Sequence, residues 1–317
     1  MQNELRRDYF LDRQVIIAVG RGKRPTDFKH ASASDSDAKD ACFFCPGNES
    51  STPPEIMRVA DGGVWSVRVF PNKFPAVTEE DGPSDERLMP AYGRHEIVVE
   101  SPDHQKTVAD LSAEGIAQVI GIYSQRVDAM MKDPKTKYVL VFKNHGKVAG
   151  ASLAHTHTQI ISLPVVPKLL QAESDATAEY ARKNASCPIC DAWKSESKGP
   201  RAVWEDDNAV VFTPYASRSP LEAWIMPKRH LRELGDLSES ERLSLAKGIK
   251  KITSKLKAGL DDTPYNLYFH ISPKGGDLHL HVEVLPRLSI YAGFELGSDI
   301  VINTMAPEAA ADFYRPE

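Results

Sequence analysis

The sequence is short of cysteine, of long apolar runs and of excess positive charge, and each shortage excludes something. Its 317 residues carry 39 Lys and Arg against 44 Asp and Glu, a formal net charge of -5. A protein that coats nucleic acid neutralises many phosphates with cations, so this balance argues against that class while leaving room for local arginines that hold small anions. No apolar stretch approaches the roughly 20 residues needed to span a bilayer. The opening MQNELRRDYFLDRQ places charges where a secretory signal has its apolar segment. The expectation is a cytoplasmic protein with no nucleic-acid and no membrane partner. At 41% hydrophobic and 26% charged residues the composition is globular, and the length suffices for two domains, each with its own core.

The four cysteines that do occur fall as two pairs of identical spacing, Cys42-Phe-Phe-Cys45 and Cys187-Pro-Ile-Cys190. In a reducing compartment such pairs point to metal ligation or redox work before structural disulfides. The plainer alternative is four buried thiols, which cysteine's preference for interiors permits.

The cysteine pairs open an internal duplication. After Cys42 and Cys45 come the strand-like VWSVRVFPN (64–72), then EIVVESPDH ending at His104, the triplet DLS (110–112), a helical stretch, and a closing segment with His155 and His157. After Cys187 and Cys190 come AVVFTPY (209–215), EAWIMPKRH ending at His230, DLS (236–238), a helical stretch, and a closing segment with His279 and His281. The cysteine pairs are 145 positions apart, His104 and His230 126, as are the two DLS triplets, and the His-x-His pairs 124. Such register points to two homologous domains, assigned to residues 1–180 and 181–317, joined by a linker or connecting helix in the polar, small-residue segment between 168 and 186. Val-, Ile- and aromatic-rich runs predict strands. The stretches 112–133 and 238–259 predict long helices, each opening with Ser and a following Glu in the manner of a capping box. Each domain is then an antiparallel sheet with packed helices, an α+β arrangement. The extreme N-terminus and residues 30–41 look loosely ordered, and 78–90 reads as a loop.

Tetrahedral zinc takes Cys and His ligands, usually one close pair with two more from elsewhere. The duplication supplies two such sets: Cys42, Cys45, His104 and His155, then Cys187, Cys190, His230 and His279. With four protein ligands and no open position, both would be structural. Within His155-Thr156-His157-Thr158-Gln159 the strand period of two puts His155, His157 and Gln159 on one face. A metal on His155 would lock the strand and leave His157 free. A neutral imidazole whose other nitrogen is held by a hydrogen bond is a good nucleophile toward phosphorus. The preceding GKVAGAS (146–152) offers small residues whose backbone can approach phosphate oxygens.

GRGKRP (20–25), CFFC, FPNKFPA, SPDH, FKNHGKVAGAS, HTHTQ, PKRH and GFE (293–295) together resemble, in order and over nearly the whole chain, the galactose-1-phosphate uridylyltransferase family. The resemblance implies two tandem histidine-triad-like domains, zinc, a homodimer, and transfer of a nucleoside monophosphate between sugar 1-phosphates through a nucleotidyl-histidine. It implies that His157 is the nucleophile and Gln159 a phosphate-oxygen donor. It further implies nucleotide contacts from Arg21, Arg24, Asn72, Asn144, Gly150 and Ser152, and sugar contacts from Glu295. The expected partners are a sugar nucleotide and a sugar 1-phosphate or phosphate, with UDP-glucose as donor in galactose metabolism. Three alternatives remain open: an ADP-sugar phosphorylase, a histidine-triad nucleotide hydrolase and a non-enzymatic zinc module. Thr156 stands at the middle of the family's His-Pro-His, and Lys73 where uridylyltransferases have Asp. A second metal set of the family would map to Glu173, His270, His279 and His281. It competes with the Cys187 and Cys190 site for His279, and the thiolate site is preferred, leaving His270 and His281 as core or rim residues.

Overall fold

In this computed structural model the structure describes residues 4–11, 14–17, 42–85 and 88–315. The strands are β1 (Glu4–Arg7), β2 (Gln14–Ile17), β3 (Met57–Asp61), β4 (Val64–Pro71), β5 (His95–Val99), β6 (Tyr138–His145), β7 (His157–Leu163), β8 (Ala202–Glu205), β9 (Ala209–Phe212), β10 (Ala223–Pro227), β11 (Tyr265–His270), β12 (His281–Pro286) and β13 (Val301–Asn303). The helices are α1 (Ala113–Met131), α2 (Lys168–Asn184), α3 (Pro188–Glu196), α4 (Glu239–Gly259), α5 (Gly293–Ser298) and α6 (Pro307–Tyr314).

Ten strands form one sheet in the order β3-β4-β5-β7-β6-β11-β12-β10-β9-β8. The order reads alike from both ends, because β3 to β7 and β8 to β12 are the two copies of the duplication. They meet where β6 pairs with β11 antiparallel, Phe269 opposite Val141 and Tyr265 opposite His145. The connecting segment after residue 167 is helix α2, and the α+β class is as expected from the sequence.

Strand periodicity sorts the side chains. On one face Val141, Ile160, Val282 and Val284 pack with Ile116, Val119, Ile120 and Tyr123 of α1 and Ile249 and Ile252 of α4. On the other face each half carries a smaller apolar cluster beneath its cysteine pair: Phe44, Trp65, Phe70 and Ile97 in the first, Ile189, Phe212, Trp224 and Met226 in the second. Both long helices start on serine, but only α4 has the expected capping box, Ser238 with Glu241. In α1 the Ser112 hydroxyl accepts from the Gly115 N–H at 3.0 Å, and a glycine at that third helical position has no carboxylate to reciprocate.

The N-terminal segment is more ordered than its composition suggested. β1 pairs with β2, which pairs in parallel with β13, and Arg6 donates to Glu308 at 3.1 Å. Tyr9 donates to Glu196 at 2.9 Å, so a charged, polar stretch is fixed by an ion pair and a hydrogen bond to the second half of the chain. Residues 30–41 lie outside the described residues.

Candidate active site and metal clusters

Two sets of ligand-type side chains stand where the duplication predicts them. Cys42, Cys45, His104 and His155 bring their ligand atoms within 4.8 Å of one another, as do Cys187, Cys190, His230 and His279. Each histidine faces the thiols with Nδ1. His155 Nδ1 lies 3.6 Å from both Cys42 and Cys45 Sγ, and His104 Nδ1 3.3 Å from Cys45 Sγ. His279 and His230 Nδ1 lie 3.2 and 3.4 Å from Cys190 Sγ. The S···N edge of a tetrahedron built on zinc's usual bond lengths is about 3.5 Å, so both donor sets fit that ion. Their outer contacts match as well. His155 Nε2–H donates to the Ser101 carbonyl at 2.7 Å and His279 Nε2–H to the Pro227 carbonyl at 2.9 Å, which leaves each Nδ1 lone pair for the thiol side. Contact with Cys190, and hydrogen bonds from His230 and His279, hold the Cys187 thiol below its ordinary pKa. The first set is wholly buried, whereas Cys187, Cys190 and His230 are partly exposed.

A third group, Glu173, His270 and His281, is also close enough to share an ion. His270 Nδ1 lies 2.7 Å from Glu173 Oε2, and all three side chains are buried. Of the core and rim places expected for the two histidines, the core is where they are.

His157 begins β7 and is 6% exposed, opening on a cavity of about 380 Å³ that is also lined by Phe43, Phe44, Asn72, Lys73, Ser152 and Gln159. Its Nδ1 lies 2.8 Å from the His155 carbonyl. A carbonyl only accepts, so Nδ1 carries the proton and Nε2 keeps its lone pair. Burial, with the nearby Lys143 ammonium, pushes the pKa of His157 down to about 4, and the imidazole is neutral at neutral pH. The ring is held edge-on by Phe44, centroids 5.3 Å apart. One carbonyl thus links the first Cys and His set to the imidazole: His155, whose Nδ1 faces the thiols, also orients His157.

Beneath β7, on the helix side of the sheet, Lys143 donates to Glu100 at 2.6 Å, to the Thr156 hydroxyl at 2.8 Å and to the His157 carbonyl at 2.8 Å. Tyr123 and Thr158 donate to the other Glu100 oxygen. Burial opposes ionisation of Glu100, but Lys143 and these hydroxyls outweigh it and hold its pKa at about 2. A carboxylate depressed on folding stabilises above its unfolded pKa, roughly 4.3, and that contribution is lost as pH falls toward the folded value. Lys143→Met should therefore leave an uncompensated buried carboxylate, cost about 3–5 kcal/mol, and remove part of the stability loss between pH 5 and pH 2. Thermal melts across that range check this; a wild-type-like melting curve and pH profile would show that the pair does not stabilise the fold.

Of the residues expected from the sequence, Asn72, Ser152, His157 and Gln159 line the one cavity. Asn144 and Gly150 are not among its lining residues; the Asn144 amide, at the end of β6, donates to the Gly150 carbonyl at 3.5 Å across a turn in which Gly146 and Gly150 take φ of 80° and 91°. A Cβ at Gly146 would come within 2.8 Å of Pro264. Glu295 is not part of the cavity wall, and its carboxylate accepts from the Ala292 N–H at the start of its own helix at 2.9 Å. Arg21 and Arg24 lie outside the described residues. Sequence reasoning missed Phe44, which the turn between Cys42 and Cys45 brings against His157, and His95 and the Lys143–Glu100 pair, which strand pairing brings to β7.

A neutral imidazole with a free, oriented Nε2 stands at the wall of a cavity with amide and hydroxyl groups beside it, an arrangement whose chemistry suits covalent group transfer. The chain belongs to the galactose-1-phosphate uridyl transferase family: the model of that family's N-terminal domain matches residues 1–167, more than half its length. It is an enzyme of the nucleotidyltransferase class. A second family, described as a domain of unknown function, matches residues 93–315. The chain is 34% identical to the ADP-glucose phosphorylase of Arabidopsis thaliana, over 98% of this chain and 92% of that one. It is 28% identical to the galactose-1-phosphate uridylyltransferase of Thermotoga maritima, over 97% and 96%. A crystal structure of the Arabidopsis phosphorylase with bound ADP-glucose superposes with a TM-score of 0.87 at 31% identity, over 100% and 99% of the two chains. Among the described residues no helix is long and apolar enough to cross a membrane.

Proposed function

We propose that the protein transfers a nucleoside monophosphate from a sugar nucleotide through a covalent adduct on His157. The observation that carries this is the 2.8 Å hydrogen bond from His157 Nδ1 to the His155 carbonyl, which leaves Nε2 unprotonated at the cavity. Nε2 attacks the α-phosphorus and the sugar 1-phosphate leaves with the bridging oxygen. A second phosphate compound then attacks the same phosphorus and restores the free imidazole. Gln159 and Ser152, both in the cavity wall, donate to nonbridging oxygens as negative charge shifts onto them. Asn72 and the residues of the 146–152 turn would hold the nucleotide, with Arg21 and Arg24 from the preceding segment and Glu295 toward the sugar. Zinc fits both Cys and His sets, where it would tie together the segments of each half, the first set including His155 beside His157, and it has no step in the transfer. A homodimer accords with the exposed apolar side chains of Ile290, Phe294 and Leu296.

Two donors fit this chemistry. ADP-glucose with phosphate as acceptor is supported by the 34% identity to the plant phosphorylase and by the cation Lys73 in the cavity wall. UDP-glucose with a hexose 1-phosphate is supported by the family model and the Thermotoga relative. Both donors, each offered inorganic phosphate or galactose 1-phosphate, separate the readings. ADP formed from ADP-glucose and phosphate selects the first, and UDP-galactose from UDP-glucose selects the second. Release of free nucleoside monophosphate to water alone would replace both with a hydrolase.

A further inference from the structure

The side chain of Gln159 can serve a phosphate only if its NH2 end, and not its carbonyl, faces the cavity. What fixes that orientation is His95. It enters from β5, where Ile97 is paired opposite Gln159, so His95 and Gln159 share the cavity face of the sheet. The backbone N–H of Ala76 points at His95 Nδ1 at 3.1 Å. An N–H only donates, so Nδ1 is the acceptor and the proton of the neutral ring sits on Nε2. His95 Nε2 lies 2.8 Å from Gln159 Oε1, and its N–H therefore donates to the amide carbonyl. The Asn72 amide nitrogen is 3.2 Å from Nε2 and 3.5 Å from Nδ1. An atom on the Nε2 lone-pair axis would be far more distant from Nδ1, so this amide lies over the ring face and does not compete for the in-plane position. Burial also lowers the pKa of His95, which keeps the ring in the neutral, single-donor form.

We propose that His95 is a positioning residue for nucleotidyl transfer: the chain Ala76 N–H to His95 Nδ1, His95 Nε2–H to Gln159 Oε1, turns the Gln159 NH2 toward the nonbridging phosphate oxygens. Without it the amide is free to flip and present its carbonyl, an acceptor that repels the phosphate. The second half of the chain is an internal contrast. Strand pairing places Glu283 where Gln159 stands and Glu222, two residues before Trp224, where His95 stands. Those carboxylates are bridged by Arg218 and buried, so the donor relay is built only in the half that opens to a cavity.

The proposal rests on Gln159 acting on phosphate as described above, and a double-mutant cycle separates the two ideas. Gln159→Leu should lower kcat by about 10²–10³-fold, as loss of one preorganised donor does. His95→Leu should lower kcat by at least ~10-fold with KM changed less. In the Gln159→Leu background it should lower kcat no further, because its effect runs entirely through that amide. His95→Gln, which places an N–H donor near the old Nε2 position, should recover most of the activity. Rates are measured with ADP-glucose and with UDP-glucose, and far-UV circular dichroism checks folding. If Gln159→Leu turns over normally, the phosphate role of Gln159 falls and this relay with it. If Gln159→Leu is impaired while His95→Leu is not, or if the two losses multiply in the double variant, the relay alone is overturned. Should His95→Leu fail to fold, a His95→Gln enzyme as inactive as Gln159→Leu overturns it equally.

Discussion

Replacement of His157 by glycine is expected to abolish nucleotidyl transfer, by about 10⁴-fold or more, while the protein folds. The nucleophile is irreplaceable because, among the described residues that line the cavity, His157 is the one imidazole; the others offer amides (Gln159, Asn72), hydroxyls (Ser51, Thr52, Ser152), an amine (Lys73) and apolar groups. The loss falls on kcat rather than on binding, since Nε2 bonds to phosphorus only as the reaction proceeds. Removing a nearly buried ring beside Phe44 costs about 2–4 kcal/mol, which a chain with two large apolar layers tolerates. Two measurements check this. Wild-type protein mixed with sugar nucleotide alone should gain the mass of one nucleotidyl group, a nucleoside monophosphate less one water, and release sugar 1-phosphate. The glycine variant should do neither. Retained turnover in the variant would remove His157 as nucleophile and with it the covalent mechanism.

The second large effect concerns metal. The purified protein should carry two metal ions per chain, one in each Cys and His set. A chelator should release the ion at Cys187, Cys190, His230 and His279 first, because three of those ligands, all but His279, are partly exposed, whereas all four of the other set are buried. Apparent free energies of structural zinc sites are on the order of 10 kcal/mol, so stripping either site should lower the melting temperature by ten degrees or more. The sites should differ in what else they do. Cys45→Ser disturbs His155, whose carbonyl accepts the His157 Nδ1–H, and should depress kcat as well as stability. Cys190→Ser acts on the other half and should cost stability with much less effect on kcat. Elemental analysis, melting curves and turnover on the two variants check this. Protein that purifies fully active without metal, or equal kcat losses in both variants, would contradict the arrangement.

Much of this was legible because the duplication made the sequence its own comparison. Repetition of the cysteine pair, the single histidine and the His-x-His pair marked both ligand sets, and the structure gathers both. The strand period alone put His157 and Gln159 on one face. Less legible was anything that depends on which strands are neighbours. His95 is one histidine at the start of a short strand, and its meaning comes from the antiparallel register of β5 against β7. Lys143 sits in a valine-rich strand, and Glu100 follows another; only their meeting beneath Thr156 shows why two opposite charges are tolerated there. The order of the described N-terminal residues escaped notice because the partners of Arg6 and Tyr9, Glu308 and Glu196, lie about 190 to 300 positions away, and composition has no sight of them.

By itself, then, the sequence determined the periodic and the repeated: an α+β chain in two copies, the residues of two Cys and His sets, and an imidazole, His157, beside a small-residue turn. Those properties follow from spacing along the backbone, because a strand alternates every two residues and close ligands come from short motifs. The tertiary structure decided the rest. It joined the copies through β6 and β11 into one sheet, opened a cavity at His157, and buried the matching His281 among Glu173, His270 and Glu283. Those outcomes depend on long-range strand pairing and on how side chains from distant segments fill the space between layers, and local spacing carries no record of either.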